Sequence, residues 1–229
     1  KLINPKAFLM WGGVHTIMNP EDAIPHVDAI CTGEGELAFE EFYKNYTNDK
    51  DYFKTKNFWF RKNGEIIRND FRPLAMGPDM DKFPLPLYDE NEFIYKQGKG
   101  FVPITTFDYI NFAGLAFTTI WSIGCPYRCS FCGNTKFIDN DKDYRKIRHP
   151  SIDYIIRHVK DAISKHPHIS SVVFSDDSFM AIPKAVLEEF AKQWKKEINI
   201  PFGVLGVIPS FVKEEKFNIL VDAGMNRVR

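Results

Sequence analysis

The chain has 229 residues, 44% of them hydrophobic and 26% charged, the composition of an ordinary globular protein with room for one large domain or two smaller ones. Thirty basic side chains balance thirty acidic ones, so the charge gives no sign of a nucleic-acid or membrane partner. No apolar run, residues 114–120 included, is long enough to cross a bilayer.

In chain order, Lys1-Leu2-Ile3-Asn4-Pro5 carries neither an initiator Met nor an apolar leader, which predicts a piece of a longer protein. Ala7-Phe8-Leu9-Met10-Trp11 then reads as a buried strand closed by the Gly12-Gly13 turn. Asn19-Pro20-Glu21-Asp22 predicts a helix start, with Asn19 as its cap and Pro20 at its first position. Residues 27–32 form a second expected strand running into Gly33-Glu34-Gly35-Glu36. After it, Leu37, Phe39, Phe42 and Tyr43 mark an amphipathic helix ending near Tyr46. Strand, turn and helix twice over is the grammar of a doubly wound α/β domain, with residues 1–48 as its C-terminal half.

Residues 49–113 change character. A β-hairpin turning at Asn63-Gly64 is predicted over 56–68. Residues 72–88 hold four prolines (73, 78, 84 and 86) and little periodicity, as an extended linker does. Residues 89–113 read only as a connection between domains.

From residue 114 the α/β rhythm returns. Strands are predicted at 115–121, 169–174 and 202–208, with a fourth opening at 227–229. Ser151 caps a helix with Ile152, Ile155, Ile156, Val159 and Ile163 on one face. Pro183 opens another, with Val186, Leu187, Phe190, Ala191 and Trp194 inward, and a third over 212–223 stops at Gly224. Parallel strands joined by helices predict an open sheet or the first part of a β/α barrel over 114–229.

Three of the four cysteines fall within eight residues, in Gly124-Cys125-Pro126-Tyr127-Arg128-Cys129-Ser130-Phe131-Cys132-Gly133. A disulfide scaffold spreads its cysteines, so this clustering suits a reducing cytoplasm and a metal. Spaced Cys-x3-Cys-x2-Cys, three thiolates can each take one iron of a cubane cluster and leave the fourth iron open. The spacing also admits a structural zinc with His149 as fourth ligand, or buried thiols without metal. Cys31, beside Ala29 and Ile30, reads as a core residue. Downstream, Ser175-Asp176-Asp177-Ser178-Phe179 ends a strand. Its acids either cap a turn or face a site at the carboxyl edge of the barrel.

In Cys125, Cys129, Phe131 and Cys132 the chain resembles the radical S-adenosylmethionine (SAM) enzymes, whose mark is Cys-x3-Cys-x-aromatic-Cys. The resemblance implies a partial (β/α)6 barrel and a 4Fe-4S cluster on the three cysteines, with SAM chelated by the open iron. It places Phe131 against the adenine and Asp176 or Asp177 near the SAM amino group. It also implies reductive cleavage of SAM to methionine and a 5′-deoxyadenosyl radical.

The Gly12-Gly13-Val14-His15 and Gly33-Glu34-Gly35-Glu36 turns are similar to those closing the cobalamin-binding domain in one branch of that family. Gly12, Gly13, Gly33, Glu34 and Gly35 are thereby candidate cobalamin contacts. The plainer reading is ordinary strand-to-helix turns with acids at a helix start. His15 does not match the Asp-x-His-x-x-Gly motif that supplies a cobalt ligand in such domains, and the chain lacks that motif. Ile123 stands where many relatives carry Arg.

The resemblance implies an enzyme that methylates an unactivated carbon of a small molecule or natural-product intermediate, with electrons from a flavodoxin or ferredoxin. Cyclisation or rearrangement over a vestigial cobalamin domain is the second reading, and a non-catalytic zinc or iron–sulfur module the third. A methylthiotransferase would bring a second cysteine set near the amino terminus, which this chain lacks.

Overall fold

A computed structural model describes residues 3–87 and 91–229. Lys1, Leu2, Tyr88, Asp89 and Glu90, at the edges of the expected opening, linker and connection, lie outside the described residues. The chain divides into two compact units, Lys1–Ala75 with Pro126–Arg145 and Met76–Cys125 with Lys146–Arg229. Among the described residues no helix is long and apolar enough to cross a membrane.

The first unit is built on a four-stranded sheet in the order β1 (Met10–Trp11), β2 (Ala29–Cys31), β3 (Phe58–Lys62) and β4 (Glu65–Arg68). β1 and β2 are parallel, with Met10 opposite Ala29 and Trp11 opposite Ile30. β1 is shorter than the apolar run predicts, because Leu9 N–H donates to the Asp28 carboxylate at 2.8 Å instead of to a strand. The hairpin turns at Asn63 (φ 51°) and Gly64 (φ 85°), the left-handed pair that a tight two-residue turn requires. It does not stand apart as a spacer: β3 pairs antiparallel with β2 and extends the domain's sheet. Period-two alternation buries Phe58 and Phe60, which stack on Phe42 of the helix Glu36–Thr47. Asn19 is a correction. Pro20 opens the short helix Pro20–Ala23 as expected, but the Asn19 side chain caps nothing.

In the second unit the residues expected to be mere connection hold a hairpin, β5 (Phe93–Lys96) with β6 (Gly100–Pro103), and the helix Thr106–Ala113. Thr105 and Asp108 cap that helix reciprocally, each side chain meeting the other's backbone N–H. Four parallel strands follow in sequential order: β7 (Ala116–Thr119), β8 (Ser171–Phe174), β9 (Phe202–Val204) and β10 (Met225–Val228). Helices Ile152–Lys165, Lys184–Glu197 and Glu214–Asp222 lie between successive strands, the pattern from which a β/α barrel is built. Ser151 caps the first of them through Tyr154 N–H. Trp121, Phe174, Phe190, Trp194 and Phe202 are fully buried in one aromatic core. Each such ring contributes roughly 2–3 kcal/mol by leaving water.

Candidate active site

In the second unit the site begins where β7 runs out. Past Thr119 the backbone turns away from its neighbour, leaving the N–H groups of Trp121 and Ser122 without a strand partner. The Asp176 carboxylate takes both: Oδ1 accepts from Trp121 N at 3.0 Å, and Oδ2 accepts from Ser122 N at 2.7 Å and Ser122 Oγ at 2.5 Å. Asp176 is only 3% exposed. Burial pushes its pKa up from the ordinary 3.8 to about 6, against three hydrogen bonds that favour the charge. One step on, Ile123 and Arg148 exchange both backbone hydrogen bonds, at 2.8 and 2.9 Å. The Trp121 indole N–H reaches the Pro150 carbonyl at 3.2 Å. The root of the cysteine loop is therefore tied to the chain on both sides.

At the end of that root, Cys125 is 8% exposed, and the Ser178 hydroxyl donates to its sulfur at 3.3 Å. Gly206, just past β9, seats the Asp176-Asp177 turn. A side chain there would put its Cβ 2.2 Å from the Asp176 carbonyl oxygen and 2.6 Å from that of Asp177, and its φ of +64° suits glycine.

Cys129 and Cys132 belong to the first unit, in a turn closed by Cys132 N–H to the Cys129 carbonyl at 3.1 Å. Thr135 ties this turn to the helix Asn134–Asn140 by donating its hydroxyl to the Cys129 carbonyl at 2.7 Å. Arg145 donates twice to the Pro126 carbonyl, and Arg128 pairs with Asp139 at 2.6 Å. Cys129 is exposed, Cys132 half-buried, and Phe131 stands 91% exposed, a ring without cover of its own.

Among the described residues no three Cys, His, Asp or Glu side chains form a metal-holding group. The donor set suits a cluster, since all three thiols are free of disulfides. His149, the fourth ligand of the zinc reading, directs Nδ1 to the Pro150 carbonyl at 2.8 Å, a bond that leaves Nε2 as its metal-binding nitrogen, and packs its ring against Trp121. Cys31 is a core residue, its thiol pushed up in pKa by burial and directed to the Gly33 carbonyl.

The glycine turns leave the carboxyl ends of the neighbouring strands β1 and β2. Gly13 has φ +100° and open space where a Cβ would stand, so backbone there can approach a ligand. Gly33 is packed instead: Asn57 crosses it, donating Nδ2 to the Glu34 carbonyl at 2.8 Å and accepting Arg72 N–H at 2.6 Å. A Cβ on Gly12 or Gly35 would make only ordinary contact with Cys31. His15 bonds Asp22 at 2.9 Å and stacks on Trp11. Sequence reasoning missed Ser122, Ser178, Asn57 and Gly206. Only the Ser-Asp-Asp-Ser run hinted at one of them.

Comparison with known proteins adds the family. Residues 119–229 match the radical SAM superfamily. An uncharacterized methyltransferase of Pyrococcus horikoshii is 25% identical over 192 residues, covering 82% of this chain and 37% of that protein. The anaerobic magnesium-protoporphyrin IX monomethyl ester cyclase of Synechocystis sp. is 27% identical over 139 residues, covering 58% of this chain and 24% of the relative. Among solved structures, the radical SAM methyltransferase TsrM from Kitasatospora setae, with cobalamin and a [4Fe-4S] cluster bound, superposes with a TM-score of 0.71. That match covers 97% of this chain and 41% of TsrM at 15% identity, a likeness of fold. The chain thus spans less than half the length of each of these relatives.

Proposed function

The chain belongs to the radical SAM superfamily, and from that premise we propose that Cys125, Cys129 and Cys132 hold a 4Fe-4S cluster at which SAM binds. Support comes from the three free thiols at family spacing and from a buried carboxylate dedicated to holding the loop that carries the first of them. When bound, the cluster supplies the electron that cleaves SAM to methionine and a 5′-deoxyadenosyl radical, and cobalamin supplies a methyl group. The protein's own part is positional. Asp176 holds residues 121 and 122 while Ile123 and Arg148 brace the next step, so Cys125 is presented from a rigid base. Both Asp176 oxygens are committed to the loop, which leaves Asp177, half-buried beside it, as the acid for the SAM amino group. Phe131 offers an uncovered ring for the adenine.

Residues 1–48 act as the C-terminal part of a cobalamin-binding domain, with Gly12 and Gly13 at the ligand edge and Gly33, Glu34 and Gly35 in the second turn. The full reaction is methylation of an unactivated carbon in a small molecule, with electrons from a flavodoxin or ferredoxin in a reducing cytoplasm. The methyltransferase among the relatives favours this reading. The cyclase among them supports a second, cyclisation over a vestigial cobalamin domain. The test is anaerobic reconstitution with iron and sulfide, then dithionite and SAM, assayed for 5′-deoxyadenosine. Its absence from the cluster-loaded intact protein sinks the radical reading. Cobalt bound on addition of cobalamin favours methylation, and its exclusion favours cyclisation.

A further inference from the structure

Ser178 sits where serine ordinarily caps a helix, just before the turn Phe179–Ala181, yet its side chain makes no cap hydrogen bond. The hydroxyl is aimed instead at the sulfur of Cys125, 3.3 Å away, and Ser178 is 1% exposed. The turn that carries it is fixed from two sides. Asp176, two residues earlier, is bonded to Trp121 and Ser122, and Gly206 lies against the Asp176 and Asp177 carbonyls. The segment that holds the root of the cysteine loop also delivers a hydroxyl to its first sulfur.

We infer that Ser178 tunes the reduction potential of the cluster through Cys125, a role that rests on the proposed ligation by that cysteine. Reduction adds one negative charge to the cluster and its thiolates, and some of it resides on sulfur. A hydroxyl donating to that sulfur stabilises the reduced form more than the oxidised one and raises the potential. In a buried position water does not dilute the effect. Ser178 is a positioning residue: it acts on the cluster through Cys125.

The experiment uses the intact protein, reconstituted anaerobically with iron and sulfide, as wild type, Ser178→Ala, Ser178→Thr and Ser178→Gly. The readout is the midpoint potential of the cluster by redox titration followed by electron paramagnetic resonance, with iron and sulfide content measured on each sample. Ser178→Ala is expected to keep its iron and shift to a more negative potential, while Ser178→Thr, which retains the hydroxyl, stays at the wild-type value. If the alanine variant does not fold, Ser178→Gly, which also removes the hydroxyl, should show the same negative shift. An unshifted potential in a fully loaded alanine or glycine variant overturns the inference, as does loss of the cluster from the threonine variant. Assaying 5′-deoxyadenosine on the same wild-type sample separates the two readings. A loaded but inactive wild type removes the proposed function and leaves the Ser178 shift standing. An active wild type with an unshifted alanine variant removes the Ser178 role alone. A wild type that takes up no cluster removes both.

Discussion

Each unit of this chain has a turn after a parallel strand that is held by one buried polar side chain, and the two side chains differ in kind. In the first unit Asn57 crosses Gly33, donating to the Glu34 carbonyl and accepting from Arg72 N–H, while its own carbonyl takes Thr32 N–H at 2.8 Å. In the second, Asp176 meets two N–H groups and a hydroxyl. The choice follows from what each loop leaves unpaired. One carbonyl and one N–H call for an amide, which donates and accepts without charge. Three donors call for a carboxylate, which only accepts. The consequence is that the loop leading to Cys125 is held by a group that titrates, and the glycine turn is not.

The largest effect expected is from Asp176→Ala. It leaves two buried N–H groups and a hydroxyl facing a cavity, at a cost on the order of 4 kcal/mol. Urea unfolding followed by tryptophan fluorescence reads the loss, and cluster uptake should fall with it. Wild-type stability and iron content would make the carboxylate incidental and dissolve the comparison.

Gly206→Ala comes next, at roughly 3 kcal/mol. The added Cβ meets a backbone oxygen at 2.2 Å, which no rotamer change relieves, and φ of +64° strains alanine besides. Thermal unfolding measures it. A shift of only a degree or two would mean that the Asp176-Asp177 turn yields readily.

The pH dependence sharpens the contrast. Asp176 has its pKa raised to about 6 by burial, above the ordinary 3.8 it regains on unfolding. The folded state therefore binds the extra proton between those values. The stability this contributes is fully present below about 3.8 and is lost as pH rises through about 6, by roughly 2–3 kcal/mol. Asp176→Asn should flatten that part of the curve, and Asn57→Ala should leave its shape unchanged. Parallel curves for wild type and Asp176→Asn would show that the carboxyl does not carry the slope.

How far the sequence announces all this depends on what kind of signal each part sends. The cysteine spacing and the apolar runs that became β8 and β9 are local patterns, readable directly, as is the Ser151 cap. Asn57 sends no local signal and Ser178 only its place in a polar run, because they work across the chain on groups 23 and 53 residues away. The hairpin at 93–103 escaped because its aromatics point outward: Phe93, Tyr95 and Phe101 are exposed, and Tyr95 meets Phe101 across the strands at 5.6 Å. Periodicity looks for aromatics inside. The next helix also went unread, although Thr105 and Asp108 form a capping box at its start. The helix Asn134–Asn140 has little apolar periodicity, and Thr135 ties its start to the cysteine turn.

The smallest effect isolates the Asn57 clamp. Gly33→Ala brings a Cβ within 2.8 to 3.0 Å of the Asn57 amide atoms, the end of a side chain that can swing away. The cost is about 1–2 kcal/mol, because moving that amide gives up its bonds to Glu34 and Arg72. Asn57 itself has φ 68°, a conformation glycine adopts freely, so Asn57→Gly removes the amide without adding backbone strain. In that background Gly33→Ala should cost almost nothing, and the double-mutant cycle should return most of the single-mutant penalty as coupling. Additive penalties would mean that alanine at position 33 disturbs the turn itself, and that the amide is a neighbour of the glycine and not what constrains it.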